Sequence, residues 1–339
     1  MVPDILAKVI RGNAVESIHR GHFVVVDGNG GTLASGGDPS TVTYFRSSCK
    51  SIQAIPFIAS GAADRFGFSD DEIALAVASH SGERMHVEIA ARMLAKAGFS
   101  EKDLRCGAHL PFNEQESQRM LAAGERPNQL HNNCSGKHAA MLAFALHIGA
   151  DPASYDLPTN PVQTAILERI SQFSEVPMSE IAIGIDGCAA PNFAVPVAAM
   201  ARSFANLLDP PDSFDQATRA ACHRIVKAMI DHPKLVGGTG RLDTMIMEAA
   251  RGALVCKVGA DGVWLCGVLP SAKWPSGLVI ALKIEDGDDH LSRPVVAVEL
   301  LRKLGVLGPD DLPDVAPMPI RNRRGDIVGR IDAVIDGLF

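Results

Sequence analysis

The sequence predicts an α/β (α+β) fold in which one antiparallel sheet is formed from both chain ends and a helical lobe is inserted between them. Three observations lead there. β-branched runs gather near the start and in the last third of the chain, helical spacing with explicit caps fills the middle, and glycine or proline breakers separate the late apolar runs. The implied division is a sheet lobe of about 1–50 plus 235–339 and a helical lobe of about 51–234, within one unit covering 1–339.

In chain order, Gly21–Asp27, the glycine turn 28–31 and Thr32–Ala34 read as a hairpin. Ser69 and Glu72 form a capping-box pattern before a short apolar helix, and Asn160-Pro161 places a cap and a first-turn proline before a helix over 162–173. Gly98 and Gly149 stand where helices end, the second closing a helix over 139–148. Residues 253–257, 262–269 and 278–284 then read as antiparallel strands.

A chain of 339 residues with 47% hydrophobic and 21% charged residues can close a core without disulfides or a structural metal. The net charge of −7 disfavours nucleic acid as a partner, and the basic run Arg321, Arg323, Arg324 reads as a solvated turn. No apolar run approaches the roughly 18 residues of a membrane span, and no secretory signal is evident, so a cytoplasmic location is expected. The 7 cysteines include no C-x-x-C pair, which argues against a disulfide framework.

Chemistry is concentrated in a few segments. Ser47 and Lys50 form an S-x-x-K before an apolar helical run; spacing of three puts amine and hydroxyl on one face, and a neutral lysine can take a serine proton. Arg46 beside them is a cation that would favour neutrality of the amine. The run 78–83 carries Ser79, His80 and Glu83 between two helices, and Lys257 with Gly259 ends a late strand. That order, S-x-x-K, a serine-bearing loop and K-x-G, resembles the layout of serine β-lactamases and penicillin-binding proteins.

Two cysteines precede expected helix starts, Cys134 in the run 130–138 and Cys188 in the run 184–192, and helix N-termini favour the thiolate that binds metal. Spacing alone selects Cys134, His138 and Cys188 as ligands for a zinc ion. The loop 236–243 lacks the Lys-Ser/Thr of a nucleotide-binding loop, but its backbone at Gly240 and the guanidinium of Arg241 could hold a substrate carboxylate.

Taken together, Val15-Glu-Ser-x-His-x-Gly, Arg46-Ser-Ser-Cys-Lys50, Ala78-Ser-His-Ser-Gly-Glu83, Asn132-Asn-Cys-Ser-Gly-Lys-His138, Asp186-Gly-Cys-Ala-Ala-Pro-Asn192 and Gly237-Gly-Thr-Gly-Arg241 resemble the asparaginase II domain family, the class 3 or rhizobial-type L-asparaginases. The resemblance implies a serine β-lactamase-like or glutaminase-like fold and hydrolysis of L-asparagine to L-aspartate and ammonia. It further implies two Ser–Lys pairs, Ser47 with Lys50 and Ser79 with Lys257, and substrate contacts from Arg46, His80, Glu83, His138, Gly240 and Arg241. One zinc ion assisting substrate binding is implied on Cys134, Lys137 and Cys188, replacing His138 of the spacing argument by Lys137, with Asp186 behind the ligands. A homodimer is also implied.

Three other readings compete. A glutaminase differs by one methylene of substrate, worth only about 1–3 kcal/mol of discrimination. A penicillin-recognising hydrolase would share the Ser–Lys machinery but act outside the cytoplasm. A non-catalytic zinc or redox-sensing module would need Cys134 and Cys188 and leave the serines as caps.

Overall fold

The computed structural model describes residues 2–335 and contains 11 strands in order, β1 (Asp4–Arg11), β2 (Ala14–Asp27), β3 (Thr32–Gly36), β4 (Val42–Tyr44), β5 (Ala182–Ile185), β6 (Pro191–Pro196), β7 (Leu254–Gly259), β8 (Val263–Val268), β9 (Leu278–Ile284), β10 (Met318–Arg321) and β11 (Ile327–Ala333). The chain divides into two compact units. One comprises the chain through Ser48, Val195–Ala205 and everything from Met245 onward; the other comprises Cys49–Ala194 and Asn206–Thr244.

The first unit carries an 8-stranded sheet with the order β10-β11-β1-β2-β9-β8-β7, and β3 pairs with β2. Strands from both chain ends therefore lie in one antiparallel sheet. Strand β2 is the organiser: its first half pairs with β1 from Ala14↔Arg11 to Gly21↔Asp4, and its second half pairs with β9 from Gly21↔Ile284 to Asp27↔Leu278. β7, β8 and β9 are buried almost throughout, which explains why they read as continuous apolar runs and not as alternating ones. The helix Ser292–Lys303 packs on β1, β9 and β11, and its Pro294 falls in the first turn, where no intrahelical N–H is lost.

The second unit is built around the helix Ser135–Ile148, which is buried from Ser135 to Ala145 with apolar residues on every side. A helix without a polar face needs neighbours all round. It has them in Ile55–Ala59, Ala62–Arg65, Asp70–Ala76, Arg84–Lys96 and Pro161–Ser174. The expected start signals are present: Glu72 and Ser69 form the capping box of Asp70–Ala76, Asn160 accepts from the Val162 N–H ahead of Pro161–Ser174, and Gly149 ends the central helix at φ 72°. Gly136 in its first turn has no room for a side chain, because a Cβ there would stand 2.2 Å from the Leu75 carbonyl oxygen. That close approach brings the helix start against the segment leading to Ser79.

Two local expectations are corrected. The segment around Cys188 opens no helix; β5 and β6 pair from Ala182↔Ala194 to Ile185↔Pro191, and Cys188 lies in the hairpin turn between them. Ala189 at φ 70° and the Asp186 N–H bond to the Ala190 carbonyl close that turn tightly. The run after Ser47 is likewise not one helix but a 3-10 turn, Arg46–Cys49, followed by Lys50–Gln53 and Ile55–Ala59, with Pro56 in the first turn of the latter. Among the described residues no helix is long and apolar enough to cross a membrane.

Candidate active site

Lys50 is 1% exposed, and its amine is the hub of the second unit. Nζ donates to the carbonyls of Ala78 (2.6 Å) and Asn133 (3.4 Å), and lies 3.0 Å from Ser79 Oγ and 3.2 Å from Cys134 Sγ. Ser79 follows the end of Asp70–Ala76 and is pinned by its own N–H to the Val236 carbonyl, while the next N–H, that of His80, donates to Asn133 O. Four acceptors around one amine leave any N–H toward Ser79 in competition with the others. Once Nζ is neutral, its two N–H groups can satisfy the carbonyls and its lone pair can receive the serine proton.

The sequence pairs Lys50 with Ser47; the serine hydroxyl found on its amine is that of Ser79, beside the Ala78 and Asn133 carbonyls and the Cys134 sulfur. Ser47 is half-buried on the 3-10 turn of the first unit, where Arg46 donates to Asp261. Lys257, the expected partner of Ser79, is fully buried on β7, also in the first unit, and its Nζ donates to the Val258 carbonyl at 3.2 Å.

Next to Lys50, the residues implied as zinc ligands come together. Cys134 caps the central helix and Lys137 lies in that helix's first turn, with its Nζ 3.3 Å from Cys188 Sγ. Asp186 Oδ2 is 4.0 Å from the same sulfur. Burial alone would lower the Lys137 amine, but the charges of Cys188, Cys134 and Asp186 outweigh it and push the amine above the ordinary lysine range. Hydrogen bonding from Cys134 and the charge of Lys137 hold Cys188 low, as a thiolate, while the same sharing and burial push Cys134 up. Two thiols and an amine fit the soft donor set that zinc prefers, and 3.3 Å is close to the roughly 3.5 Å edge between a sulfur and a nitrogen in a tetrahedral zinc shell. Among the described residues no three His, Cys, Asp or Glu side chains are grouped to hold a metal, and the amine beside the Cys188 sulfur is that of Lys137. His138, the choice from spacing, bonds Tyr155 through Nδ1 at 2.7 Å, and its fully buried ring also interacts with Cys188, which opposes the lowering of its pKa by burial.

The other expected substrate contacts are placed as follows. His80 is fully buried with both nitrogens engaged: Nδ1 accepts from the Gly82 N–H (3.1 Å), and Nε2 faces Ser135 Oγ (2.9 Å). Glu83 holds the glycine loop, accepting from Ser81 Oγ (2.6 Å), the Thr239 N–H (2.8 Å) and Thr239 Oγ1 (2.8 Å). Gly240 has φ 71°, and Arg241 lies over the Phe112 ring at 5.5 Å. Phe112 in turn stacks on His109, whose Nε2 accepts from the Asn133 N–H at 3.0 Å. Asn133 and His109 were absent from the sequence-based set. The doubled Asn132-Asn133 before Cys134 was the available signal, since Asn132 Oδ1 caps the Cys134 N–H (2.8 Å) and its Nδ2 reaches the Cys106 carbonyl (2.8 Å).

A buried lysine on a serine hydroxyl, in a chain whose motifs run in this order, is equipment for amide hydrolysis, and the protein is an amidohydrolase. It belongs to the L-asparaginase II family, whose model matches residues 7–333. No curated protein matches the sequence. Among solved structures the chain is similar to a probable glutaminase from Bacillus subtilis complexed with 6-diazo-5-oxo-L-norleucine (15% identity, 85% of each chain, TM-score 0.38). It is also similar to a mutant class A β-lactamase of the last common ancestor of Gram-negative bacteria (15% identity, 85% of this chain and 92% of that one, TM-score 0.41). A β-lactamase from Burkholderia vietnamiensis gives 14% identity over 84% of this chain and 93% of that one, with a TM-score of 0.40.

Proposed function

We propose that the protein is an L-asparaginase that opens the side-chain amide of L-asparagine through an acyl-enzyme. The observation that carries this reading is the 3.0 Å contact between Lys50 Nζ and Ser79 Oγ in a member of this family. Ser47 is the nucleophile: the residue is half-buried, whereas Ser79 is only 3% exposed. Neutral Lys50 takes the Ser47 proton as the hydroxyl oxygen attacks the amide carbon. Ser79, already on the lysine, relays that proton to the departing nitrogen, so ammonia leaves and Lys50 is ready to deprotonate the water that hydrolyses the ester. Lys257 supports the relay electrostatically, Arg241 holds the substrate carboxylate, and Arg46 is a further substrate-binding residue. Zinc on Cys134, Lys137 and Cys188 would supply electrostatic attraction for substrate oxygen atoms. A homodimer and a cytoplasmic location complete the proposal.

Ammonia release from asparagine, glutamine and β-aspartyl substrates, with and without chelator, tests the substrate. Asparagine should lead, and silence on all three would overturn the reading. Mass spectrometry after treatment with a diazo-ketone analogue of asparagine tests the roles: Ser47→Ala should abolish the covalent adduct and Ser79→Ala should slow it. The reverse pattern would exchange the two serines.

A further inference from the structure

Arg46, immediately before Ser47, has φ 52°, a left-handed conformation unusual for a residue with a side chain. Such a conformation persists only where the surroundings impose it. Within the first unit the imposing groups lie on the β7–β8 hairpin. Gly259 at the end of β7 runs so close to the Phe45 carbonyl that a Cβ would stand 2.5 Å from it, and Asp261 at the hairpin tip accepts from the Arg46 guanidinium. Asp261 is itself at φ 58°, and its backbone is fastened from elsewhere. Lys283 Nζ donates to its carbonyl (2.5 Å), and its N–H and that of Gly262 donate to the Asp289 carboxylate (3.2 and 2.8 Å). Arg293, 6% exposed, ties Asp289 to the Gly259 carbonyl (2.6 Å).

We infer that Asp261 is a positioning residue for the reaction, holding Arg46 and, through the Arg46 backbone, the hydroxyl of Ser47. This rests on the asparaginase reading for its kinetic consequence. Its carboxylate side chain is 66% exposed and that of Arg46 27% exposed, so the ion pair adds little to stability. A tip already fastened by Lys283, Asp289 and Arg293 has no need of a carboxylate for its own fold. What the carboxylate does is fix where the guanidinium and the residue after it lie, and an ångström of misplacement at a reacting group can cost about 100-fold in rate.

The test is a double-mutant cycle of Asp261→Asn and Arg46→Ala, with Asp261→Glu as the conservative variant. Asp261→Asn should lower kcat/KM for asparagine about tenfold or more with an unchanged melting temperature, Asp261→Glu should recover most of it, and Asp261→Asn should add nothing once Arg46 is alanine. A second readout needs no amide substrate: the rate at which a fluorophosphonate labels Ser47, located by mass spectrometry, should fall about tenfold in Asp261→Asn. Unchanged labelling, an additive cycle, or a wild type that is never labelled at Ser47 overturns the inference. A wild type labelled at Ser47 and slowed by Asp261→Asn, yet inert toward asparagine, overturns the substrate assignment and leaves the positioning role standing.

Discussion

Lowering the pH should unfold this protein chiefly through histidines buried in their neutral form, and His80 gives the sharpest case. Its Nδ1 accepts from the Gly82 N–H, so the ring proton sits on Nε2 toward Ser135, which passes its own proton to the Leu130 carbonyl. His86 is arranged alike, with Nδ1 accepting from the Glu83 N–H and Nε2 donating to Lys234 O, and the two rings stack at 4.9 Å. A second proton on either ring breaks an acceptor bond, and one on each would set two cations face to face. Burial first, then His86 and Lys50, hold His80 well below the ordinary histidine value, and burial lowers His86 too. The unfolded chain therefore binds more protons than the native one below about pH 6.5, and stability present above that value is lost as pH falls. Between pH 7.5 and 5.5 a histidine that stays neutral in the fold loses about 1.4 kcal/mol of stability, and His86 adds up to as much again. Urea unfolding at both pH values, compared between wild type and His80→Gln, isolates the first contribution because the other histidines cancel. The variant should lose about 1.4 kcal/mol less than wild type. Equal losses would refute the argument.

Further outcomes are expected. Lys50→Met should reduce asparagine hydrolysis by about 100-fold or more while circular dichroism stays native-like, since a proton acceptor is removed and the buried stem kept. Glu72→Gln should cost about 2 kcal/mol in chemical denaturation, because the fully buried carboxylate accepts from Arg92 (2.7 Å) and Lys96 (2.6 Å). Its shift has the opposite origin to that of His80: burial raises this carboxyl, but Lys96, Arg92 and the Ser69 N–H prevail and hold it low, so its contribution disappears as pH falls through that lowered value. Gly136→Ala should destabilise by about 1–3 kcal/mol, because the added methyl meets the Leu75 carbonyl and not a movable side chain. Zinc titrated calorimetrically in buffers of differing ionisation heat should release protons, since the charge of Cys188 holds the Lys137 amine above the ordinary lysine range and a metal ligand must give up its proton.

Features set by local chemistry could be read from the sequence. The Asn160 cap, the Ser69–Glu72 box, the Gly149 terminus and the late strands all depend on a few adjacent residues, and each stands where its pattern indicates. Features decided by pairing across the chain were not legible. β1, the first half of β2 and the β10–β11 hairpin become strands by joining one sheet edge, and their half-exposed, charged sequences gave no apolar run to notice. Cys188 misled for a related reason: a cysteine followed by Ala-Ala looks like a helix start, whereas Ile183 and Ile185 alternate on a strand paired to β6. At the site, motif order pointed to Lys50 and Ser79, and the 3.0 Å between their amine and hydroxyl depends on how distant parts of the chain pack. Three-residue spacing cannot supply that.

The sulfur of Cys134 accepts from Lys50 on one side and is an implied metal donor on the other. Engineering therefore meets a single joint where two adjustable parts would be wanted. Any exchange at position 134 made to tune ion affinity also withdraws an acceptor from the Lys50 amine, so the two properties have to be redesigned together, with a compensating acceptor supplied from the Asn132-Asn133 backbone.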